Sequence, residues 1–342
     1  GYVDQSELVE DLIQVEKPKN SEYKEIENKV IAEIVERLQA MARKAISDNY
    51  TISSNKVTQA MVDEAQDVLT SLLDIEEVEE FNNILLKLFT VIPRKMGCVS
   101  DYLANSSNDF SKIIQKEQDL LDVMKGQVVQ KQVIEETKAE NDVKIKNTIL
   151  EQLGLVFEEC DKKDIAVIKD ALGSCSDKFY KAWKVKNLKT QKRFDDFVKE
   201  NNITETKLLF HGSRNENWWS IINSGLVLKP TNAVITGKMF GYGIYYAPKA
   251  RKSLGYTSLS GSYWVRGDSN FGFMALMDVA YGKPYDVYSF DSKYYSFDYG
   301  KLQSVCPGAN CLHAHAGDML RNDEIIVYKE EQCTIKYLIE LR

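Results

Sequence analysis

The sequence predicts an α+β chain: an N-terminal all-α helical bundle followed by a mixed, mostly antiparallel β domain. Three observations predict it. Up to about residue 127, apolar residues recur at three- and four-residue steps, the spacing of one helix face. Beyond about residue 146 they come in short runs rich in aromatic and β-branched residues, separated by turn signals. At 342 residues the chain is too long for one ordinary domain and about right for two. The predicted divisions are a lead-in over 1–20, a helical domain over 21–135 and a strand-rich domain over 136–342.

The lead-in ends in the polar, proline-bearing VEKPKN. Ile26, Val30, Ile34, Leu38, Met41 and Ala45 then make one apolar stripe, the first helix. Val57, Met61, Ala65, Val68 and Leu72 make a second, with Ser53 and Ser54 as candidate N-caps. Val78, Phe81, Leu85 and Leu88 make a third, stopped by Pro93, and Phe110, Ile113, Leu120 and Val123 a fourth. The charged, aromatic-poor stretch 128–146 reads as a linker into the next domain. Helices are expected near 162–172 and 189–200, and strands in KLLF, GIYYA, FMALMDVAYG, DEIIVYK and TIKYLIEL. The tyrosine-rich stretch 281–299 reads as a loop with packed aromatics.

Apolar residues make up 44% of the chain and charged ones 28%, with only 6 prolines, which excludes a disordered chain. The net charge of −7 argues against a DNA-binding surface spread over the whole chain. Six scattered cysteines favour reduced thiols and an intracellular location over a disulfide framework. No apolar run approaches the roughly 20 residues of a membrane span, so no membrane partner is expected. The chain opens on Gly1 without a signal peptide, and further domains upstream are expected.

Three stretches carry candidate chemistry. KLLFHGSR ends a strand-like run in His211 and Gly212; alone, such a histidine reads as structural. FGYGIYYA contains Gly-x-Gly, but a strand-like run follows where a dinucleotide fingerprint needs a helix, and the third glycine is missing. Its glycines fit a tight turn or a close approach of backbone to ligand. CPGANCLHAH gathers Cys306, Cys311, His313 and His315, but C-x4-C-x-H-x-H matches no common zinc spacing, and the stretch reads as a loop with free cysteines.

Taken in order, HGSRNENWWSIINSGL, ITGKMFGYGIYYAPKARKSLGY and NDEIIVY resemble the three motifs of the poly(ADP-ribose) polymerase catalytic domain, of the ADP-ribosyltransferase superfamily. VLTSLLDIEEVEEFNNILLKLFTVIP and EQDLLDVM are similar to that family's helical regulatory domain. The resemblance covers about 21–342. It implies a His-Tyr-Glu triad of His211, Tyr245 and Glu324, with NAD+ as a consumed substrate and no metal. His211 would bond the adenosine ribose. Gly212 and Ser253 would hold the carboxamide, Tyr245 and Tyr256 would sandwich the nicotinamide, and Ser213 and Asn217 would hold the adenosine side. Met239 and Lys252 match positions on the acceptor side. On periodicity alone, Tyr245 and Tyr256 read as core aromatics and Glu324 as a strand-edge charge.

The residue types suit the chemistry. Nicotinamide leaves as a neutral molecule, and an oxocarbenium-like cation builds up on the ribose, as in glycoside cleavage. A carboxylate beside that sugar stabilises the cation and orients the incoming hydroxyl. Keeping glutamate at 324 implies polymer formation on protein acceptors, including the chain itself. The alternatives are mono-ADP-ribosyl transfer, NAD+ hydrolysis, a non-catalytic NAD+ or ADP-ribose binding module, and a zinc-dependent interaction domain on 306–315. The run VCPGANCLHAHAGDMLR and Val227, where an arginine is common, depart from the family pattern. The resemblance also implies that the helical domain limits access to the NAD+ cleft, with Glu117, Asp119 and Asp122 facing it. Activation would come from nucleic acid through domains outside this sequence, and the location would be nuclear or, in bacteria, cytoplasmic.

Overall fold

The computed structural model describes residues 23–140, 147–229, 239–260, 267 and 269–342. The lead-in over 1–20 lies outside them, as do residues 141–146 of the expected linker.

Helix α1 (Lys29–Asn49) begins where the Asn28 side chain accepts from the Val30 and Ile31 amides, and buries Ile34, Leu38 and Ile46 from the predicted face and its flanks. Helix α2 (Gln59–Ser71) is capped by Thr58, whose hydroxyl accepts from Met61 N at 3.2 Å. The expected caps Ser53 and Ser54 instead lead into a 3-10 turn, Ser54–Lys56, which places the true cap four residues later. Helix α3 (Val78–Val91) buries Phe81, Leu85 and Leu88 and ends before Pro93.

Helix α4 (Phe110–Glu140) overturns the linker expectation over 128–140, because the helix runs on through it for 31 residues in all. Gln, Lys and Glu are good helix formers without being apolar. The extension is held by tertiary contacts. Val128 is buried, Gln130 accepts from Trp219 Nε1 at 2.9 Å, and Lys131 donates to the Asn55 carbonyl at 2.7 Å.

The second half runs α5 (Ile149–Leu153), β1 (Leu155–Glu159), α6 (Lys162–Leu172), β2 (Phe179–Asn187), α7 (Leu188–Glu200), β3 (Lys207–Gly212), α8 (Trp218–Ser224), β4 (Ile244–Tyr246), α9 (Ala250–Leu254), β5 (Gly272–Val279), β6 (Pro284–Val287), α10 (Tyr299–Val305), β7 (Cys311–Ala314), β8 (Glu324–Val327) and β9 (Cys333–Leu341). The strands form two sheets. One has the order β1-β2-β9-β5-β3 and is antiparallel throughout. The other has the order β4-β8-β7-β6, with β6 and β7 parallel. The α+β class and the mostly antiparallel pairing are those the sequence predicts.

The stretch 281–299 is more than a loop: it contains β6 and a 3-10 turn, Ser292–Ser296. Its aromatics do pack, with Tyr285 stacked on Phe297 at 6.3 Å and Tyr285 and Tyr294 hydroxyls 3.1 Å apart. One apolar core runs from the helices into the first sheet, joining Ile34, Leu38, Leu121 and Val123 to Trp183, Phe273 and Leu338. Each such side chain, fully buried, stabilises by about 1.5–3 kcal/mol. The helices are therefore packed onto the sheet, and α4 comes to lie beside α8 and the end of β3.

Candidate active site

The two sheets meet at the end of β3. Phe210 N donates to the Ala247 carbonyl at 2.9 Å, and Ala247 N returns the bond to Phe210 at 3.0 Å. That bridge carries the next residue, His211, against β4, where its Nδ1 faces the Tyr245 carbonyl at 3.3 Å. A carbonyl only accepts, so Nδ1 carries the proton and Nε2 is left as an acceptor. Burial pushes the imidazole pKa down to about 4 against the raising effect of the Tyr245 carbonyl, so the ring is neutral at neutral pH. Trp218 and Tyr246 meet it edge-on at 6.4 and 6.1 Å and fix its plane.

Gly212 is glycine for want of space. A Cβ there would sit 2.1 Å from the Ser253 carbonyl oxygen. Helix α9 thus presses on the end of β3, and buried Ser253 stands beside the Gly212 backbone. Tyr256 follows one turn on, its amide donating to the Ser253 carbonyl at 3.0 Å. Burial raises the pKa of the Tyr256 phenol, which stays protonated. Tyr245 is held at its far end, where its hydroxyl donates to the Gly241 carbonyl at 3.0 Å and accepts from Phe240 N at 3.2 Å. Gly241 has φ +71°, the left-handed region that favours glycine, in the turn that aims Tyr245.

Glu324 opens β8 opposite Ala314 and is buried, 8% exposed. Lys252 of α9 forms an ion pair with it. Burial pushes the Lys252 ammonium down to about 8. Asn217 Nδ2 donates to Ser213 Oγ at 3.0 Å, while its buried Oδ1 has no hydrogen-bond partner among the described residues.

His211, Gly212, Ser213, Asn217, Tyr245, Lys252, Ser253, Tyr256 and Glu324 line one cavity of about 470 Å³, within the roughly 300–1,000 Å³ usual for small-molecule sites. Met239 is not among its lining residues and packs in the apolar cluster around the second sheet, with Tyr245. The facing wall is α4, which contributes Lys116, Asp119, Asp122 and Lys125. Burial pushes the Asp119 carboxyl up to about 8, helped by the nearby Asp122 and Glu216 charges. Asp122 pairs with Lys229, and its carbonyl accepts from Ser220 Oγ at 2.8 Å. Glu117, expected in this wall, is turned away: it is buried inside the bundle in an ion pair with Arg94. On a helix, 117 and 119 lie about 200° apart, so both cannot face one cleft.

Sequence reading passed over Lys116, Lys125, Arg214, Glu216 and Ser220, which also line the cavity. A signal for the helical pair existed. Lys112, Lys116, Asp119, Asp122 and Lys125 recur at three- and four-residue steps, a polar stripe on a helix whose other faces are packed.

The fold and this cavity define an α+β protein with a preformed ligand cleft between a helical wall and two sheets, lined by imidazole, paired tyrosines and a buried carboxylate. The profile of the poly(ADP-ribose) polymerase catalytic domain matches residues 162–342. The putative poly(ADP-ribose) polymerase-like protein 100L of Invertebrate iridescent virus 6 is 32% identical over 190 residues, covering 54% of this chain and 97% of that protein. Poly(ADP-ribose) polymerase 2 of Arabidopsis thaliana is 30% identical over 171 residues, 44% of this chain and 25% of that one. The Homo sapiens poly(ADP-ribose) polymerase 2 is 31% identical over 158 residues, 40% of this chain and 26% of that one. The chain thus spans nearly all of the viral relative but about a quarter of the plant and human ones. It belongs to the poly(ADP-ribose) polymerase family, whose catalytic domain takes NAD+ as substrate. No helix among the described residues is long and apolar enough to cross a membrane.

Proposed function

We propose that the chain cleaves nicotinamide from NAD+ and transfers ADP-ribose to protein acceptors, itself included, and onto growing chains. The observation that carries this reading is the convergence of His211, Tyr245 and Glu324, with Gly212, Ser253 and Tyr256, on one cavity.

In this reading the Gly212 backbone and the Ser253 hydroxyl bond the carboxamide. A clamp of this kind discriminates strongly, because an analogue lacking the amide leaves buried polar groups unpaired. Tyr245 and Tyr256 stack on the nicotinamide ring, each contact worth roughly 0.5–1.5 kcal/mol beyond area burial. Neutral His211 bonds the adenosine ribose, accepting at Nε2. Asn217, with its unpartnered Oδ1, and Ser213 hold the adenosine side. As the glycosidic bond breaks, the electron pair leaves with nicotinamide, and the positive charge left on the ribose faces Glu324. The same carboxylate then orients the acceptor hydroxyl. Lys252 holds Glu324 in place on the acceptor side. Met239 stays on that side as a support behind Tyr245. The α4 wall narrows the cleft and restrains NAD+ binding until it is loosened.

Incubation with labelled NAD+, resolved on a denaturing gel, tests the product. Polymer formation gives a high-mass smear on the chain. A single sharp band means one ADP-ribose per site, and free labelled ADP-ribose without protein label means hydrolysis.

A further inference from the structure

Away from the cleft, the second sheet gathers a set of side chains that the reaction does not use. His313 and His315 are two apart on β7 and its end, so both point to one face. Strand β6 runs parallel beside them, with Asp286 level with His313, and His315 N donates to the Val287 carbonyl at 2.9 Å. The imidazoles stack at 4.0 Å, 13° from parallel. His315 Nε2 lies 2.7 Å from Asp286 Oδ1. One donor atom from each of Asp286, His313 and His315 falls within 4.8 Å of the others.

The geometry points to a divalent-cation site of zinc type at Asp286, His313 and His315, with the fourth position left to water. Two imidazoles and one carboxylate are N and O donors of the kind Zn²⁺ takes, and three protein ligands with an open fourth position is a known zinc arrangement. Asp323 Oδ2 lies 3.0 Å from His313 Nε2 and 3.8 Å from His315 Nδ1. The Tyr281 hydroxyl sits 2.8 Å from His313 Nδ1. For Nε2 to ligate an ion, Nδ1 keeps the proton and donates to this hydroxyl, the orienting contact that metal-bound histidines have. Asp286 and Asp323 are partly exposed, 44% and 36%, so a hydrated ion reaches the site.

The cysteines that prompted the zinc alternative take no part. Cys311 is buried, its thiol donating to the Tyr281 carbonyl at 3.3 Å, and Cys306 ends α10. Cys311 and His313 also lie on a strand and not in the loop the sequence suggested. Asp323, the hydrogen-bond partner of His313 beside the site, directly precedes Glu324. A bound ion therefore ties β6 to β7 and its end, beside the approach to Glu324.

The full chain, stripped with a chelator and titrated with Zn²⁺ against a chromophoric competitor, tests this. The expected result is one Zn²⁺ per chain, a raised unfolding temperature with Zn²⁺, and affinity weaker by about tenfold or more in Asp286→Asn and in His315→Gln. Both residues are partly exposed, so far-UV circular dichroism is expected to show both variants folded. Cys98→Ser/Cys306→Ser, which removes the exposed thiol and the partly buried one nearest the site in sequence, is expected to bind as wild type does. Absence of saturable binding, or equal binding in the Asp286 and His315 variants, or loss of binding in the cysteine variant, overturns the site.

Discussion

Arg37 of α1 and Glu340 of β9 form a buried, two-pronged ion pair, Nη1 to Oε2 at 2.9 Å and Nη2 to Oε1 at 3.2 Å. It joins the helical layer to a strand that pairs with both β2 and β5. The guanidinium also lies 5.2 Å from the Phe271 ring centre. Removing one partner of such a pair costs about 3–5 kcal/mol, because the other charge is left buried. Here Arg342 also donates to Glu340 Oε1, at 3.2 Å, so the lower end applies. Arg37→Ala is expected to lower stability by about 3 kcal/mol in urea unfolding, and Arg37→Met with Glu340→Leu to recover most of it. A loss under about 1 kcal/mol would show that the pair does not join the layers.

Gly126 of α4 sets how closely the helical wall approaches α8. A Cβ there would lie 2.8 Å from both Cβ and Oγ of Ser220. Gly126→Val is expected to push α4 outward, break the Ser220 bond to the Asp122 carbonyl, and raise NAD+ turnover several-fold while lowering the unfolding temperature. Equal or lower turnover in a folded variant would rule out the wall as a restraint.

His211 supplies a pH signature. Its pKa is depressed, so between the ordinary histidine value of about 6.5 and about 4 the unfolded chain binds a proton that the native chain does not. Its contribution to stability is therefore complete above about pH 6.5 and declines as the pH falls through that window. Nuclear magnetic resonance of the three histidines is expected to show His211 neutral at pH 5.5. A His211 midpoint near 6.5 would contradict the buried, neutral acceptor.

The strongest strands were legible because they are apolar on both faces: Phe273, Met274, Ala275 and Leu276 in β5, and Leu338 and Ile339 in β9. Strands β1 and β2 were missed because β1 lies at the sheet edge and β2 intersperses lysines, so neither makes a continuous apolar run. The end of α4 was hidden by its polarity, since its partners Asn55 and Trp219 lie 76 and 89 residues away. The catalytic candidates came from the order of three motifs, for no spacing rule brings His211, Tyr245 and Glu324 together. The Phe210–Ala247 bridge and the β8 register do that. Glu117 failed because motif matching ignored helix phase, and Asp286 was invisible because its pairing with His313 depends on a parallel strand contact.

The most direct test of the account compares nicotinamide release from NAD+ by wild type and Glu324→Gln, with NAD+ binding measured in both. Glutamine keeps the shape of the side chain and removes the charge proposed to face the ribose cation. Binding within about threefold of wild type and release slower by about 100-fold or more are expected of Glu324→Gln. Release at the wild-type rate by a variant that binds NAD+ normally would contradict the role assigned to Glu324.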